Sequence, residues 1–515
     1  MAEAAVRRRD LGFVALAFLD VGIYVLILAV TGTGIGFPLD DAWIHQVYAR
    51  NLAQFGEWAF VHGIPSAAST SPLYTVILSI GDILHVPIFI WAYGIGALAL
   101  AFTAMIGARL AERLFPDLRR VGLVVGLLLL LEWHLIWAAA AGMDTIVFIA
   151  VELALVALTW RELDTLDGGF SALGRGVGVG LCGALLTDTR PEGIALVGLC
   201  GLFMLIARPQ KTWRACLIWA VGVGAAWLIG VMPVLLLNHS LNGTLMPDTS
   251  AAKHAEQLTV LATPFLNRFI QEVATLTAGV ELAILPGSIY ALWSWVRSPG
   301  STSNNRNTVL FWILPVWFVI LIAAYSAWLP LVSQHGRYIM PVLPPLLIVG
   351  GGGVWALLMR FARSRRSLLR ISTQVLAVAA VVLLLMFWEI GASAYNTDVG
   401  LINSQIVTTA HWVAANVPPD ALFAAHDIGA LGYFAPRRLF DLGGLISPEI
   451  VPIITDGSAL MAAMQARGVQ YMMASDYQIP TDPSDPRLCR MFEAPAGPIQ
   501  IHMIVYRIAW DGRCP

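Results

Sequence analysis

Charge is what this sequence has least of. Of its 515 residues, 12% are Asp, Glu, Lys or Arg, against 58% hydrophobic. Soluble domains carry about 25% charged residues. Half that density over this length excludes a large soluble protein and points to a polytopic membrane protein. The net charge is −2, so no global field favours nucleic acid. No basic stretch is interleaved with aromatics as a nucleic-acid surface would be. Lysine is nearly absent, with Lys211 and Lys253 the only two. Cysteine is sparse too. Cys182, Cys200 and Cys216 fall in apolar runs and read as packing residues. Cys489 and Cys514 lie in a polar tail, where they either pair, if the tail is extracytoplasmic, or stand as free thiols. No internal repeat is present, and no low-complexity stretch beyond a small linker, RSPGSTSNN, at 297–305. The histidines are scattered without metal-ligand spacing, so no metal site and no obligatory cofactor or divalent cation is expected. GTGIG at 32–36 does not sit between a strand and a helix, which argues against nucleotide binding.

What is abundant is long apolar runs. A crossing helix needs about 20 apolar residues. About eleven segments qualify: 11–31, 87–110, 121–140, 143–160, 172–189, 191–207, 215–237, 276–296, 308–328, 338–359 and 371–393. The predicted fold is mainly α: a polytopic membrane helical bundle over 1–393, then a small extracytoplasmic α/β domain over 394–515. Arg7, Arg8 and Arg9 precede a first run too long for a secretory signal, with no small-residue cleavage site after it, so it reads as a retained helix. The shorter stretch 72–85 reads as a helix lying in the outer interface. Arginines cluster in alternate connections: Arg109, Arg113, Arg119 and Arg120; Arg161 and Arg175; Arg208, Lys211 and Arg214; Arg297 and Arg306; Arg360, Arg363, Arg365, Arg366 and Arg370. Cytoplasmic loops collect such residues. The N-terminus is therefore expected on the cytoplasmic side of a cell membrane, with the first outer loop, 32–86, and the tail outside. In the tail, 401–416 reads as an amphipathic helix. LFAAH, RRLFDL, VQYMMAS and IQIHMIVYRI read as strands, and SALMAAMQARG as a helix ending at Gly468.

The polar residues of this topology gather at the outer ends of helices. Asp40, Asp41, His45, Tyr48 and Arg50 lie in the first outer loop, and Asp144 opens a span at the same face. Asp188, Arg190 and Glu192 form the next outer turn, Asp248 and Lys253 lie in the loop 238–275, and His335 and Arg337 enter the tenth span. This set suits sugar transfer from a lipid phosphate. An inverting transfer needs a carboxylate to take the acceptor proton and cations to stabilise the departing phosphate. Asp40 is the expected base, with Asp41 and Asp144 as the other catalytic carboxylates. Arg190, Lys253 and Arg337 are the expected phosphate ligands. Tyr48, Arg50, Glu192 and His335 are assigned to the acceptor or substrate, with His426, Asp427 and Asp441 of the tail as weaker candidates. The plain alternatives are a helix N-cap for the Asp pair, a dipole-favoured acid for Asp144 and solvated loop cations for the bases.

The opening motif DDAWIHQVYARNLAQFGEWAF with STSPLY, and further AGMDT, TRPEG, GTLMPDTSAAK and RYIMPVLP, resemble bacterial GT-C glycosyltransferases. The arabinofuranosyl- and mannosyltransferase-like membrane proteins of envelope synthesis are the most similar in pattern. The tail from His411 to Pro448 resembles their extracytoplasmic tail. The resemblance implies a polyprenyl-phosphate sugar donor, a glycan, glycolipid or protein acceptor, and a base in the first outer loop. On it, Asp40 matches the acid of that loop, Asp144 the second acidic position and Lys253 the loop lysine. Trp43 stands where Tyr is usual, His45, Gln46 and Val47 depart from the usual run, Asp144 replaces Glu and Asp248 replaces Asn.

Two rival readings remain from the residues alone. Asp20, Glu132 and Glu152 lie near the middles of spans, where charge often marks an ion path, as in a transporter or flippase of lipid-linked sugars. The absence of repeats argues against it. A non-catalytic carbohydrate-binding membrane protein is the other.

Overall fold

The structure, a computed structural model, describes residues 2–165, 171–208, 212–297, 311–362, 367–499 and 501–514. The linker at 297–305 lies outside them beyond Arg297, as do Lys211, Arg306, Arg363, Arg365 and Arg366.

The chain opens with α1 (Ala2–Thr31), then α2 (Asp40–Phe55), a small hairpin of β1 (Ala59–Val61) and β2 (Ile64–Pro65), and α3 (Pro72–Ile83). The bundle continues with α4 (Ile88–Leu114), α5 (Val121–Leu131), α6 (Trp133–Ala140), α7 (Thr145–Thr165), α8 (Ser171–Thr189), α9 (Gly193–Ala207) and α10 (Trp213–Asn242). A loop region holds α11 (Asp248–Glu256), α12 (Leu258–Leu261) and α13 (Phe265–Leu276). Then come α14 (Val280–Arg297), α15 (Ile313–Trp328), α16 (Leu343–Phe361) and α17 (Ser367–Leu401).

Each apolar run expected to cross a membrane is mainly helical among the described residues, with breaks at Glu132 and at 277–279. Among the described residues, five helices are long and apolar enough to do so, and the bent pairs α5–α6 and α13–α14 raise this to as many as seven. The expectation of about eleven spans differs for a physical reason. α9 and α15 have 15 and 16 residues, short of the 20 that cross a bilayer core upright. α7 carries Glu152, Arg161 and Glu162 within its length. Large apolar side chains such as Val30, Val221 and Ile229 face outward, the pattern of helices surrounded by lipid. Inside, small residues let helices close up. A side chain at Gly176 or Gly180 of α8 would collide with the main-chain oxygens of Trp219 or Val223 on α10, the close approach typical of membrane helix pairs.

The last bundle helix does not stop where hydropathy falls. Residues 367–416 form one continuous helix of 50 residues, passing through a π-helical stretch at Ile402–Val407 into α18 (Thr408–Asn416). The boundary drawn at 393–394 thus lies inside a helix. The π stretch is fastened on two sides. Asn403 donates to the main-chain oxygens of Thr33 and Gly34 at 3.2 and 3.1 Å, and Gln405 to that of Pro495 at 2.7 Å.

The C-terminal domain adds β3 (Phe423–Ala425), α19 (Gly429–Phe434), β4 (Leu439–Asp441), α20 (Gly457–Arg467), β5 (Tyr471–Ser475), β6 (Leu488–Glu493) and β7 (Met503–Ile508). The five-stranded sheet has the order β4-β3-β5-β7-β6. β3 is parallel to β4 and β5, and β7 is antiparallel to β5 and β6. α20 ends at Gly468 with φ 71°, the left-handed cap that glycine supplies without strain. Four strands were expected; β6 was not, and neither was α19. A disulfide joins Cys489 to Cys514, which fits an oxidising compartment.

Candidate active site

Residues from eight parts of the chain enclose a cavity of about 340 Å³. α2 brings Asp41 and His45, the residues just before α7 bring Asp144, and the α8–α9 turn brings Arg190 and Glu192. α11 brings Lys253, α15 brings Tyr325 and Trp328, and the segment before α16 brings Arg337 and Tyr338. Ile44, Met143, Pro191, Leu329 and, from the C-terminal domain, Leu445 make an apolar flank.

The charged groups are tied together across the chain. Asp41 accepts from Lys253 at 3.2 Å and from Arg337. Both cations also donate to the Tyr338 hydroxyl, at 2.6 and 2.9 Å, and the ring of Tyr338 faces Arg190, Lys253 and Arg337. Arg190 donates to Asp144 at 3.0 Å. Glu192 accepts from Tyr325 at 2.6 Å. Burial alone would raise the pKa of Asp41, but Lys253 and Arg337 outweigh it and hold the carboxyl far below its usual range. Lys253 is likewise raised by Asp41, against the effect of burial. These are strong pairs, and they stay charged at neutral pH.

The donors are not used up. Arg337 is 2% exposed, and its Nε and Nη1 have no hydrogen-bond partner among the described residues; Nη1 of Arg190 has no hydrogen bond there either, only an ion pair with Glu192 at 3.5 Å. Leaving buried guanidinium donors unmet is costly, so the site is built to receive further acceptor oxygens. His45 is neutral here, because burial lowers its pKa despite Asp144 and Asp41. Its Nδ1 also lacks a partner among the described residues.

Comparison with known proteins bears on the fold. A family model described as a domain of unknown function, DUF8728, matches residues 400–506. No curated protein matches the sequence. Among solved structures, ArnT from Cupriavidus metallidurans in the apo state is similar over 98% of this chain and 98% of its own, at 16% identity and a TM-score of 0.60. The same protein bound to undecaprenyl phosphate covers 98% and 99%, at 17% identity and a TM-score of 0.58. Archaeal oligosaccharyltransferase AglB from Archaeoglobus fulgidus, in complex with an inhibitory peptide and a dolichol-phosphate, covers 98% of this chain and 75% of its own, at 11% identity and a TM-score of 0.61. The chain has the GT-C fold.

Within this GT-C fold, Asp41, Asp144, Arg190, Lys253, Arg337 and Glu192 come together, and the other four candidates do not. Asp40 points away from the cavity. Its carboxylate accepts from the N–H groups of Gly429 and Ala430, at 2.6 and 2.8 Å, at the start of α19. Arg50, ten residues on, donates to the main-chain oxygens of Tyr433 and Gly432 at 2.8 and 3.2 Å, at its end. An acid at one end of α19 and a cation at the other complement its dipole. Trp43, between them in sequence, packs on Tyr433 and Phe434. α2 is therefore the docking rail for the C-terminal domain on one side and a wall of the cavity on the other.

Tyr48 is buried and bonds Ser66, at 2.6 Å between hydroxyls, and accepts from the N–H of Ala68 at 3.1 Å; it sets the loop that leads to Thr70 in the cavity wall. His335 meets Asp398 at 2.8 Å between the edges of Trp133 and Trp137, in a separate cleft. In the tail, His426 and Asp427 belong to a surface network with Glu256 and Gln478. The Asp441 carboxylate accepts from Gly443 and Ile446 at 2.9 and 2.8 Å and shapes the turn that presents Leu445. Tyr325 and Tyr338 escaped the sequence reading. The one signal for Tyr338 was its place beside Arg337.

Proposed function

We propose that this protein is a membrane glycosyltransferase. It moves a sugar from a polyprenyl-phosphate donor to an acceptor hydroxyl at the outer face of the cell membrane, with inversion. The observation that carries this reading is the buried, incompletely bonded Arg337 beside Lys253 and a carboxylate, at the head of an apolar-flanked cavity. A phosphate fits the donors and a lipid chain the flank.

The base in this reading is Asp41 rather than Asp40, because Asp41 faces the cavity. In the free protein Lys253 and Arg337 hold Asp41 as a weak base. A donor phosphate competes for both cations. As they turn to the phosphate, Asp41 loses its counter-charges and gains proton affinity. The acceptor oxygen then attacks the anomeric carbon and gives its proton to Asp41. The bond from that carbon to the phosphate oxygen breaks, and the lipid phosphate departs with the electron pair, held by Arg337, Lys253 and Arg190. Asp144, paired with Arg190, and neutral His45 orient the acceptor.

Membranes containing the protein, incubated with radiolabelled polyprenyl-phosphate sugars, should yield a product with a new glycosidic bond. Label that crosses the bilayer with no new bond would replace this reading with transport. Comparison of envelope glycans between parent and deletion strains then identifies sugar and acceptor.

A further inference from the structure

Two helix breaks meet inside the bundle, away from the cavity. α5 and α6 bend by 55° at Glu132, and α13 and α14 by 110°. Trp133 donates its indole N–H to the main-chain oxygen of Ala278 at 2.9 Å, so the first break touches the second. At that junction Glu132, His134 and Glu281 each place a ligand atom within 4.8 Å of the others. None is more than 1% exposed.

The hydrogen bonding of these groups is lopsided. Glu132 caps α6, accepting from the N–H groups of His134 and Leu135 at 3.0 and 2.9 Å, and meets Nδ1 of His134 at 2.6 Å. Glu281 has no hydrogen-bond partner on either oxygen among the described residues, and neither has Nε2 of His134. No Arg or Lys pairs with either carboxylate among the described residues. Two buried carboxylates side by side do not both stay ionised without positive charge between them.

A shared proton would bring the two carboxyl groups into a mutual hydrogen bond, and the described residues show none between them. The two carboxylates make no hydrogen bond to each other, yet they offer ligand atoms within 4.8 Å, and Nε2 of His134 is left over beside them. That arrangement suits an ion instead, since ligands at about 2.0–2.2 Å from a tetrahedral centre lie roughly 3.3–3.6 Å apart. Two carboxylates balance a divalent ion, and the added imidazole nitrogen favours a transition metal over Mg²⁺ or Ca²⁺, which take oxygen ligands.

We propose that Glu132, His134 and Glu281 bind one divalent transition-metal ion of the zinc class, which staples the two helix breaks together. The three residues do not line the cavity, so the ion is structural. α13, just before the second break, follows the loop that carries Lys253. The ion thereby fixes the base of that loop. Sequence spacing hides the site, because its third ligand lies far along the chain from the other two.

The test uses the full chain, purified in detergent. After loading with zinc chloride and dialysis, elemental analysis should find about one zinc per chain. EDTA should lower Tm, and zinc should restore it. Glu281→Gln should lose both the bound zinc and the zinc-dependent shift in Tm. A wild-type protein that holds no zinc after loading would overturn the proposal, whatever the variant does. So would a Glu281→Gln variant that binds as much zinc as the parent. Neither result depends on transferase activity, so failure here leaves the proposed reaction standing.

Discussion

Asp41 and Lys253 meet at 3.2 Å although 212 positions separate them in the chain. The pair joins α2 to α11, and with Arg337 it closes the charged end of the cavity. Asp40, next to Asp41 in sequence, faces α19 instead. The two adjacent acids therefore have separable roles, and the predictions start there.

Asp41→Asn should reduce sugar transfer by roughly 10²–10⁴-fold, the range for a lost general base, while donor binding persists because Lys253 and Arg337 remain. Asp40→Asn should keep most of its turnover. Initial rates with radiolabelled donor decide it: near-normal transfer in Asp41→Asn would move the base to Asp144.

Lys253→Met removes one charge-assisted hydrogen bond to the donor phosphate, worth about 1.5–3 kcal/mol. Donor KM should rise by roughly 10–100-fold, with a smaller change in kcat. A variant that lowers kcat at unchanged KM would place Lys253 on the transition state alone.

Burial and the nearby Asp427 carboxylate raise Asp40 to about 7, against the two N–H donors that favour its ionised form. Between about 4 and 7 the folded protein thus holds more protons at this site than the unfolded chain, and stability from this site falls as pH rises through that window. Asp40→Asn should flatten that part of the Tm–pH profile. His426 adds to the slope with the same sign at higher pH. Burial alone would lower its pKa, but Asp427 and Glu256 outweigh that and raise it well above 6.5. Its stabilisation is complete below 6.5 and is lost as pH climbs through the folded value. A profile unchanged by Asp40→Asn would show that Asp40 does not titrate there.

Gly429→Ala should loosen the C-terminal domain. A side chain at 429 would run into the main-chain oxygen and carboxylate of Asp40, an overpacking that costs about 1–3 kcal/mol. Limited proteolysis should then cut the tail faster than in the parent, and equal cutting rates would refute the docking role of α2.

Reduction of Cys489–Cys514, or Cys514→Ser, reopens a loop whose ends lie 25 positions apart. The expected loss is about 3 kcal/mol of stability in the C-terminal domain, read as a lower Tm under reducing conditions. An identical Tm with and without reductant would show that the tail does not depend on the bond.

Much of this was legible in one dimension. Apolar runs and glycine positions mark helices because burial and backbone freedom are local properties. The helix ending at Gly468 and four of the five strands of the tail follow from that. β6 did not, because Arg490, Met491 and Glu493 face outward and break the apolar alternation of a strand. Nor did the helix through 367–416, since its hydropathy falls while its hydrogen bonding continues.

Sequence by itself narrowed the candidates to scarce acids and bases, concentrated in a few connections of an apolar chain. Tertiary structure decided which of them face one another. Successive residues of a helix point about 100° apart, so Asp40 and Asp41 turn to different neighbours, and only packing against α11, the segment before α16 and α19 shows which neighbour each one meets. The same holds for Glu132 and Glu281, whose nearness arises from two helix breaks that no spacing rule joins.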